Sequence, residues 1–295
     1  MTIDEVIRRM PGWADAHPVV GRLEGGITNA NFRVDVRGDA FVVRIPGRET
    51  ASLGIDRGRE HACTVAAFRT GIGPEVTAFL EPEGVLVTRF IPGTAVAAVD
   101  AAMLARVGAS LARVHAGSPF PGEFRPFGTV IDYLRRCGPA AALPEGFASA
   151  LARAETVAHA LSVHAPPDAP CHNDLLAANF IDDGRLIRIL DWEYAAMGDP
   201  FFDLGNLAAN LELDETAVRV LLESSIGQVS ETALARVSLM RILSDLREAM
   251  WGQLQLTLSD LDFDFAAYAR RHFTRCAAAL ADPALSARLH LVQEG

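Results

Sequence analysis

The stretch that begins at Cys171 reads CHNDLLAANFIDDGRLIRILDWEYAAMGDPFFDLGN. It sets His172 two residues before Asp174, Asn179 five residues after it, and Asp191 at the end of the apolar run ILD. The order H-x-D-x-x-x-x-N followed by a strand-end aspartate is the spacing of a phosphoryl-transfer loop. The chemistry asks for these residue types. Phosphoryl transfer is mostly positioning and charge neutralisation, so it needs one carboxylate facing the acceptor hydroxyl, here Asp174. Magnesium takes oxygen ligands and keeps several waters; Asn179 offers an amide oxygen and Asp191 a carboxylate. Asp182-Asp183-Gly184 between them is a hairpin signal, and a hairpin lets its two ends converge. His172 reads as a brace for the loop backbone. Asp203 and Asn206, at a helix start after Pro200, read either as support for the loop or as ordinary helix-start residues. A polar loop capped by His and Asp is the bland alternative for the whole stretch.

Such a site also needs a cation on the donor phosphates. The sequence offers Arg44 in the strand VVRIPG and, on the following helical segment, Glu60 in RGREHA. Arginine grips phosphate through a planar fork, so it can stand where a lysine often does. Gly25-Gly26-Ile27-Thr28-Asn29 lies where a phosphate-covering loop is needed, and its backbone N–H groups could line the phosphates. A simple hairpin turn is an equally good local reading of those residues.

These residues need elements to hold them. Asn31–Val36 and Ala40–Ile45 alternate as strands around Arg37-Gly38-Asp39. Arg57–Thr70 has helical spacing, and Val76–Leu80 and Val85–Ile91 read as further strands. With the strand before Gly25, the order is strand, strand, strand, helix, strand, strand. Ile91-Pro92-Gly93 breaks the pattern and marks the expected boundary between residues 1–92 and 93–295. Beyond it, Asp100–His115 and Phe147–His164 are helical, with Ala116–Gly128 as a loop. Asn179–Ile181 and Leu186–Leu190 form the hairpin. Helices follow at roughly 200–210, 214–226, 231–255, 263–280 and 282–292.

Composition narrows the chemistry. Of 295 residues, half are hydrophobic and 22% charged, which excludes wholesale disorder. All 27 basic residues are arginine. Without lysine there is no Schiff base, no pyridoxal enzyme and no standard Walker A loop. The four cysteines are scattered with no C-x-x-C pair, which argues for a reducing cytoplasm and against a disulfide framework or zinc knuckle. No run approaches the roughly 18 apolar residues of a membrane span, and MTIDEVIRRM lacks a signal-peptide pattern. The net charge of -10 speaks against a nucleic-acid partner and suits either simple solubility or a cationic small molecule.

Taken together, LEGGITNANFRV, FVVRIPG, IDRGREHACTVAAFRTGIGPEV, LVTRFIPG, HNDLLAANF and ILDWEYAAMGDPFFDLGN resemble the choline/ethanolamine kinase branch of the aminoglycoside phosphotransferase-like kinases. The resemblance implies an α+β, bilobal protein-kinase-like fold. A small antiparallel-sheet N-lobe with one helix, residues 1–92, would bind nucleotide. A larger, mostly helical C-lobe, residues 93–295, would carry the catalytic loop and the acceptor-binding helices. It implies ATP and magnesium, with Asp174 as catalytic base and Asn179 and Asp191 as metal ligands. Arg44 and Glu60 would be the nucleotide-gripping pair, Gly25, Gly26, Thr28 and Asn29 the phosphate loop, and Thr88, Phe90 and Ile91 part of a hinge meeting adenine. The implied acceptor is a small cationic alcohol, choline or ethanolamine first; thiamine, an aminoglycoside or a sugar are alternatives, and a silent binding module a further one. Glu193, Trp251 in AMWGQLQ and Tyr268 in AAYARRHF match acceptor-site positions, where carboxylates and ring faces attract the cation. Leu254 stands where the family has a second tryptophan. Asp260, Asp262 and Asp264 read as a solvated turn or the rim of a cation pocket.

Overall fold

In the computed structural model, residues 1–23, 29–47, 50–96, 99–138, 142–259 and 261–295 are described. The chain divides into two compact units, Met1–Ala97 with Ala178–Glu193, and Ala98–Ala177 with Tyr194–Gly295.

The first unit opens with a helix, α1 (Ile3–Arg9). Thr2 and Glu5 close it as a reciprocal cap: the Thr2 hydroxyl accepts from the Glu5 amide, and the Glu5 carboxylate accepts from the Thr2 amide. Then come β1 (Val19–Leu23), β2 (Asn29–Val36) and β3 (Asp39–Pro46), a helix α2 (Arg57–Arg69), and β4 (Val76–Leu80) and β5 (Val85–Arg89). All strand neighbours are antiparallel, in the order β1-β2-β3-β5-β4. Val36 pairs with Asp39, so Arg37 and Gly38 make a two-residue turn; both have positive φ, 55° and 87°, as a type I′ turn requires. Period-two alternation sorts β3. Phe41, Val43 and Ile45 pack with Val34, Val36, Val85, Val87, Val6 and Trp13 into one core, which puts Arg44 on the other face.

A two-residue strand β6 (Thr94–Ala95) follows β5. The second unit begins with α3 (Ala101–His115), capped by Asp100, and continues through α4 (Pro126–Cys137), α5 (Phe147–Val163) and β7 (Ala169–Cys171). The expected loop Ala116–Gly128 is therefore cut short. Pro126 is the first-turn proline of α4, where its fixed φ suits the helix and its missing N–H costs nothing.

The chain then returns to the first unit as a hairpin, β8 (Phe180–Asp182) and β9 (Ile187–Ile189), whose outer edge pairs with β6. The hairpin turn is tied by Asp183, whose carboxylate accepts from the Arg185 and Leu186 amides. Arg188 fixes the hairpin to the end of α2, donating to the carbonyls of Ile72 at 2.9 Å and Gly73 at 2.7 Å.

The rest belongs to the second unit: β10 (Ala196–Gly198), paired with β7, and the helices α6 (Pro200–Asn210), α7 (Glu215–Ile226), α8 (Glu231–Leu258), α9 (Phe265–Ala281) and α10 (Leu285–Glu294). The 28-residue α8 is the axis of this unit and is buried on most sides. Its Gly252 faces α9: a Cβ there would stand 3.0 Å from the Tyr268 ring and 3.1 Å from the Ala269 Cβ. Glycine lets the two helices approach and brings Tyr268 beside Trp251. Among the described residues no helix is long and apolar enough to cross a membrane.

Candidate active site

The loop after β7 is fixed through its backbone. Asp203, fully buried in the first turn of α6, accepts from the amides of His172 (2.9 Å) and Asn173 (2.7 Å) and pairs with His115 Nε2 at 2.9 Å. Burial opposes its ionisation, but the hydrogen bonds from the His115 side chain and the His172 amide hold its carboxyl below the ordinary aspartate value. Asn206, one turn on, accepts from the Leu175 amide at 2.6 Å and donates to Ser244 Oγ on α8. His172 Nδ1 accepts from the Asp174 amide at 3.2 Å, so the histidine does brace the loop. Replacing Asp203 by Asn keeps the shape but turns one accepting oxygen into an NH2 group, so one of the two backbone amides loses its acceptor and the remaining bonds lose the charge. The expected cost is about 1.5–3 kcal/mol in denaturant unfolding, the range for a hydrogen bond to a charged group.

With the backbone held, the Asp174 carboxylate meets α8. Arg247 Nη1 donates to its Oδ1 at 2.9 Å and to Glu248 Oε1 at 2.5 Å. Burial pushes the Asp174 carboxyl up, Arg247 pulls it down and Glu248 pushes it up again, with a net rise above the usual value. Tyr268 donates its hydroxyl to Glu248 Oε2 at 2.7 Å, and Trp251 Nε1 donates to the Tyr194 hydroxyl at 3.1 Å. The Trp251 and Tyr268 rings meet edge-on, centroids 5.6 Å apart. Leu254 is buried. The structure thus links Asp174 to Tyr268 by hydrogen bonds through Arg247 and Glu248 within the second unit, with Trp251 joined to them by its ring contact with Tyr268. Asp264 caps α9 through the Ala267 amide, a structural use for one member of the acidic run, while Asp260 lies outside the described residues.

A second set lies in the first unit. Arg44 Nη1 donates to Glu60 Oε1 and to Asp191 Oδ1, both at 2.6 Å. Arg57, one helical turn before Glu60, donates to Glu60 Oε2 at 2.5 Å, to Glu193 Oε2 at 3.1 Å and to Asn29 Oδ1 at 2.7 Å. Asn29 Nδ2 completes the ring by donating to Glu193 Oε2 at 2.9 Å. Burial, with Asp191 nearby, raises the Glu193 carboxyl to about 7. The Leu190 amide donates to the Asn179 carbonyl at 2.9 Å, which sets Asn179 and Asp191 at the same end of the β8–β9 hairpin. Asp191 itself has a positive φ of 66°. Of the hinge residues, Thr88 is buried in β5, and the amides of Arg89 and Phe90 already donate to Glu75 O and Ala40 O. Gly25, Gly26 and Thr28 lie outside the described residues.

Sequence reasoning passed over Arg57, Tyr194, Arg247 and Glu248. The one signal for the last two was the set of charges Arg241, Asp245, Arg247 and Glu248 inside a long helical run rich in apolar residues, LMRILSDLREAMWG. Charges at core-facing positions of a helix need partners.

The profile of the phosphotransferase enzyme family matches residues 19–236, well over half of the chain. The fold is that of the kinase-like phosphotransferases, and the protein is a small-molecule kinase that phosphorylates an alcohol. A choline/ethanolamine kinase family protein from Mesorhizobium loti superposes with a TM-score of 0.86 at 32% identity, each chain covered in full at 100%. The chain belongs to the choline/ethanolamine kinase family. The choline kinase LicA from Streptococcus pneumoniae shares the fold, with a TM-score of 0.80 at 21% identity over 95% of this chain and 99% of that one. Protein LicA from Haemophilus influenzae is 27% identical over 247 residues, 78% of this chain and 72% of its own length.

Proposed function

We propose that the protein transfers the γ-phosphoryl group of ATP to the hydroxyl of a small cationic alcohol, choline or ethanolamine, with magnesium. The observation that carries this reading is the acceptor-side charge. Asp174 and Glu248 stand against the single guanidinium of Arg247, beside Trp251 and Tyr268. The set is left with an excess negative charge that a cationic alcohol neutralises.

In this reading Asp174 accepts and orients the acceptor hydroxyl, and the backbone bonds from Asp203 and Asn206 fix where it points. Arg44 holds donor phosphate oxygens, and Glu60 holds Arg44. Thr88–Ile91 meets the adenine. With the Arg89 and Phe90 amides committed within the sheet, the Ile91 amide is the donor this assigns to the base. The proposed phosphate-covering segment is Gly25, Gly26, Thr28 and Asn29, the first three outside the described residues. The first unit, residues 1–97 with 178–193, would then serve the nucleotide and the second unit the acceptor.

The residues fit magnesium. Glu60, Asp191 and Glu193 are set against Arg44 and Arg57, an excess of carboxylate, and Asn179 and Asp191 offer hard oxygen donors. Asn179 and Asp191 would hold the ion, which when bound neutralises charge on the donor phosphates.

The test is a panel of acceptors with ATP consumption as readout. Choline and ethanolamine are expected to turn over, with kcat/KM at least ~10-fold above that of a neutral alcohol of similar size, since one desolvated ionic contact of about 1.4 kcal/mol gives that factor. Equal values for the neutral alcohol would end the cationic reading in favour of a sugar or another neutral acceptor. Trp251→Ala is expected to raise KM for the acceptor and leave KM for ATP nearly unchanged.

A further inference from the structure

Arg247 has no part in the reaction as assigned above, yet it is the most deeply committed charge on the acceptor side. Its side chain is 1% exposed, in the middle of α8. The guanidinium carbon lies 4.6 Å from the centroid of the Tyr194 ring and 5.9 Å from that of Phe124. Nη1 bridges Asp174 and Glu248, while Nε is buried with no hydrogen-bond partner among the described residues. Arginine stays protonated in proteins, so burial does not remove the charge. A cation over an aromatic face and between carboxylates is the arrangement that binds a quaternary ammonium. Here a residue of the chain already fills it.

The neighbouring rings offer little in exchange. The Tyr194 hydroxyl accepts from Trp251, the Trp251 ring meets Tyr268 and Phe265 edge-on, and Leu254 adds an aliphatic wall. What Asp174 and Glu248 present to an incoming cation is the lone pairs of carboxylate oxygens, each able to accept more than one hydrogen bond. Lone pairs are directional and reward N–H donors. A primary ammonium has three such donors and a trimethylammonium has none.

We propose that Arg247 is a specificity-determining residue: by filling the position on Tyr194 between Asp174 and Glu248, it selects an acceptor alcohol bearing a primary ammonium over its N-trimethylated counterpart. The inference rests on the cationic-alcohol reading and narrows it to an ethanolamine-type substrate.

The experiment compares initial rates with ethanolamine and with choline at saturating magnesium-ATP, for the wild type, Arg247→Met and Arg247→Lys. The wild type is expected to favour ethanolamine in kcat/KM by at least ~10-fold, the scale of pocket-based discrimination. Arg247→Met, neutral and of similar length, is expected to shrink that ratio at least ~10-fold, mainly by lowering KM for choline. Arg247→Lys keeps the cation and is expected to keep the preference. A general packing defect would slow both acceptors together and leave the ratio alone. A wild type that prefers choline overturns the inference without any variant having to fold, as does an unchanged ratio in an active Arg247→Met. Turnover of neither acceptor would instead overturn the cationic-alcohol reading beneath it.

Discussion

Asp174→Asn is expected to lower kcat by at least ~10²-fold, the range for loss of a positioned general base, while the affinity for ATP is kept. The substitution is small in every other respect. The asparagine carbonyl can still accept from Arg247 Nη1, and Arg247 keeps Glu248 as its anionic partner. The loop backbone is anchored by Asp203, Asn206 and His172, all of which the substitution leaves in place. The variant should therefore melt close to the wild type, so steady-state kinetics read the chemistry rather than unfolding. Near-normal turnover in this variant would remove Asp174 from the reaction.

Arg44→Ala is expected to abolish measurable ATP binding and to destabilise the fold by about 3–5 kcal/mol, the cost of leaving buried charges uncompensated. Glu60 and Glu193 would keep their contacts with Arg57, while Glu60 and Asp191 would each lose their ion pair with Arg44. The buried guanidinium pays heavily in desolvation, yet Asp191 and Glu60 hold its proton more tightly than usual. Arg44→Lys should recover most of the stability and only part of the nucleotide affinity. One arginine nitrogen, Nη1, makes both carboxylate contacts, and the guanidinium has two more that could serve the phosphate oxygens proposed for it. Lysine has a single nitrogen for all of these tasks. Calorimetric titration with ATP, run beside denaturant unfolding, separates the two effects; wild-type ATP affinity in Arg44→Ala would refute the assignment.

What could be read in the sequence was what local pattern determines. Alternation in FVVRI fixed which face of β3 carries Arg44, and the strand–helix order then placed Glu60 against it. The Asn179-to-Asp191 hairpin was legible because Asp-Asp-Gly is a turn by its own chemistry. Two helices escaped for local reasons. Helix α1 is seven residues long with one fully buried side chain, so it carries no stripe; its T-x-x-E cap was the available sign. Helix α4 starts at a proline inside a Gly/Pro-rich stretch. The acceptor side was legible only by resemblance. Arg247 meets Asp174 across 73 residues, and Arg57 meets Glu193 across 136. No spacing rule links such pairs; α8 has to be docked against the catalytic loop before its buried charges find their partners.

The grip of Arg44 on Glu60 and Asp191 also decides how this protein can be detected. Reagents that mimic a nucleotide and acylate the amine beside its phosphates depend on a lysine there. This chain has none at that position or anywhere else, all 27 basic residues being arginine. A guanidinium is a poor nucleophile because it stays protonated. A census of kinases taken by such labelling would pass over this enzyme while it was folded, loaded with nucleotide and turning over.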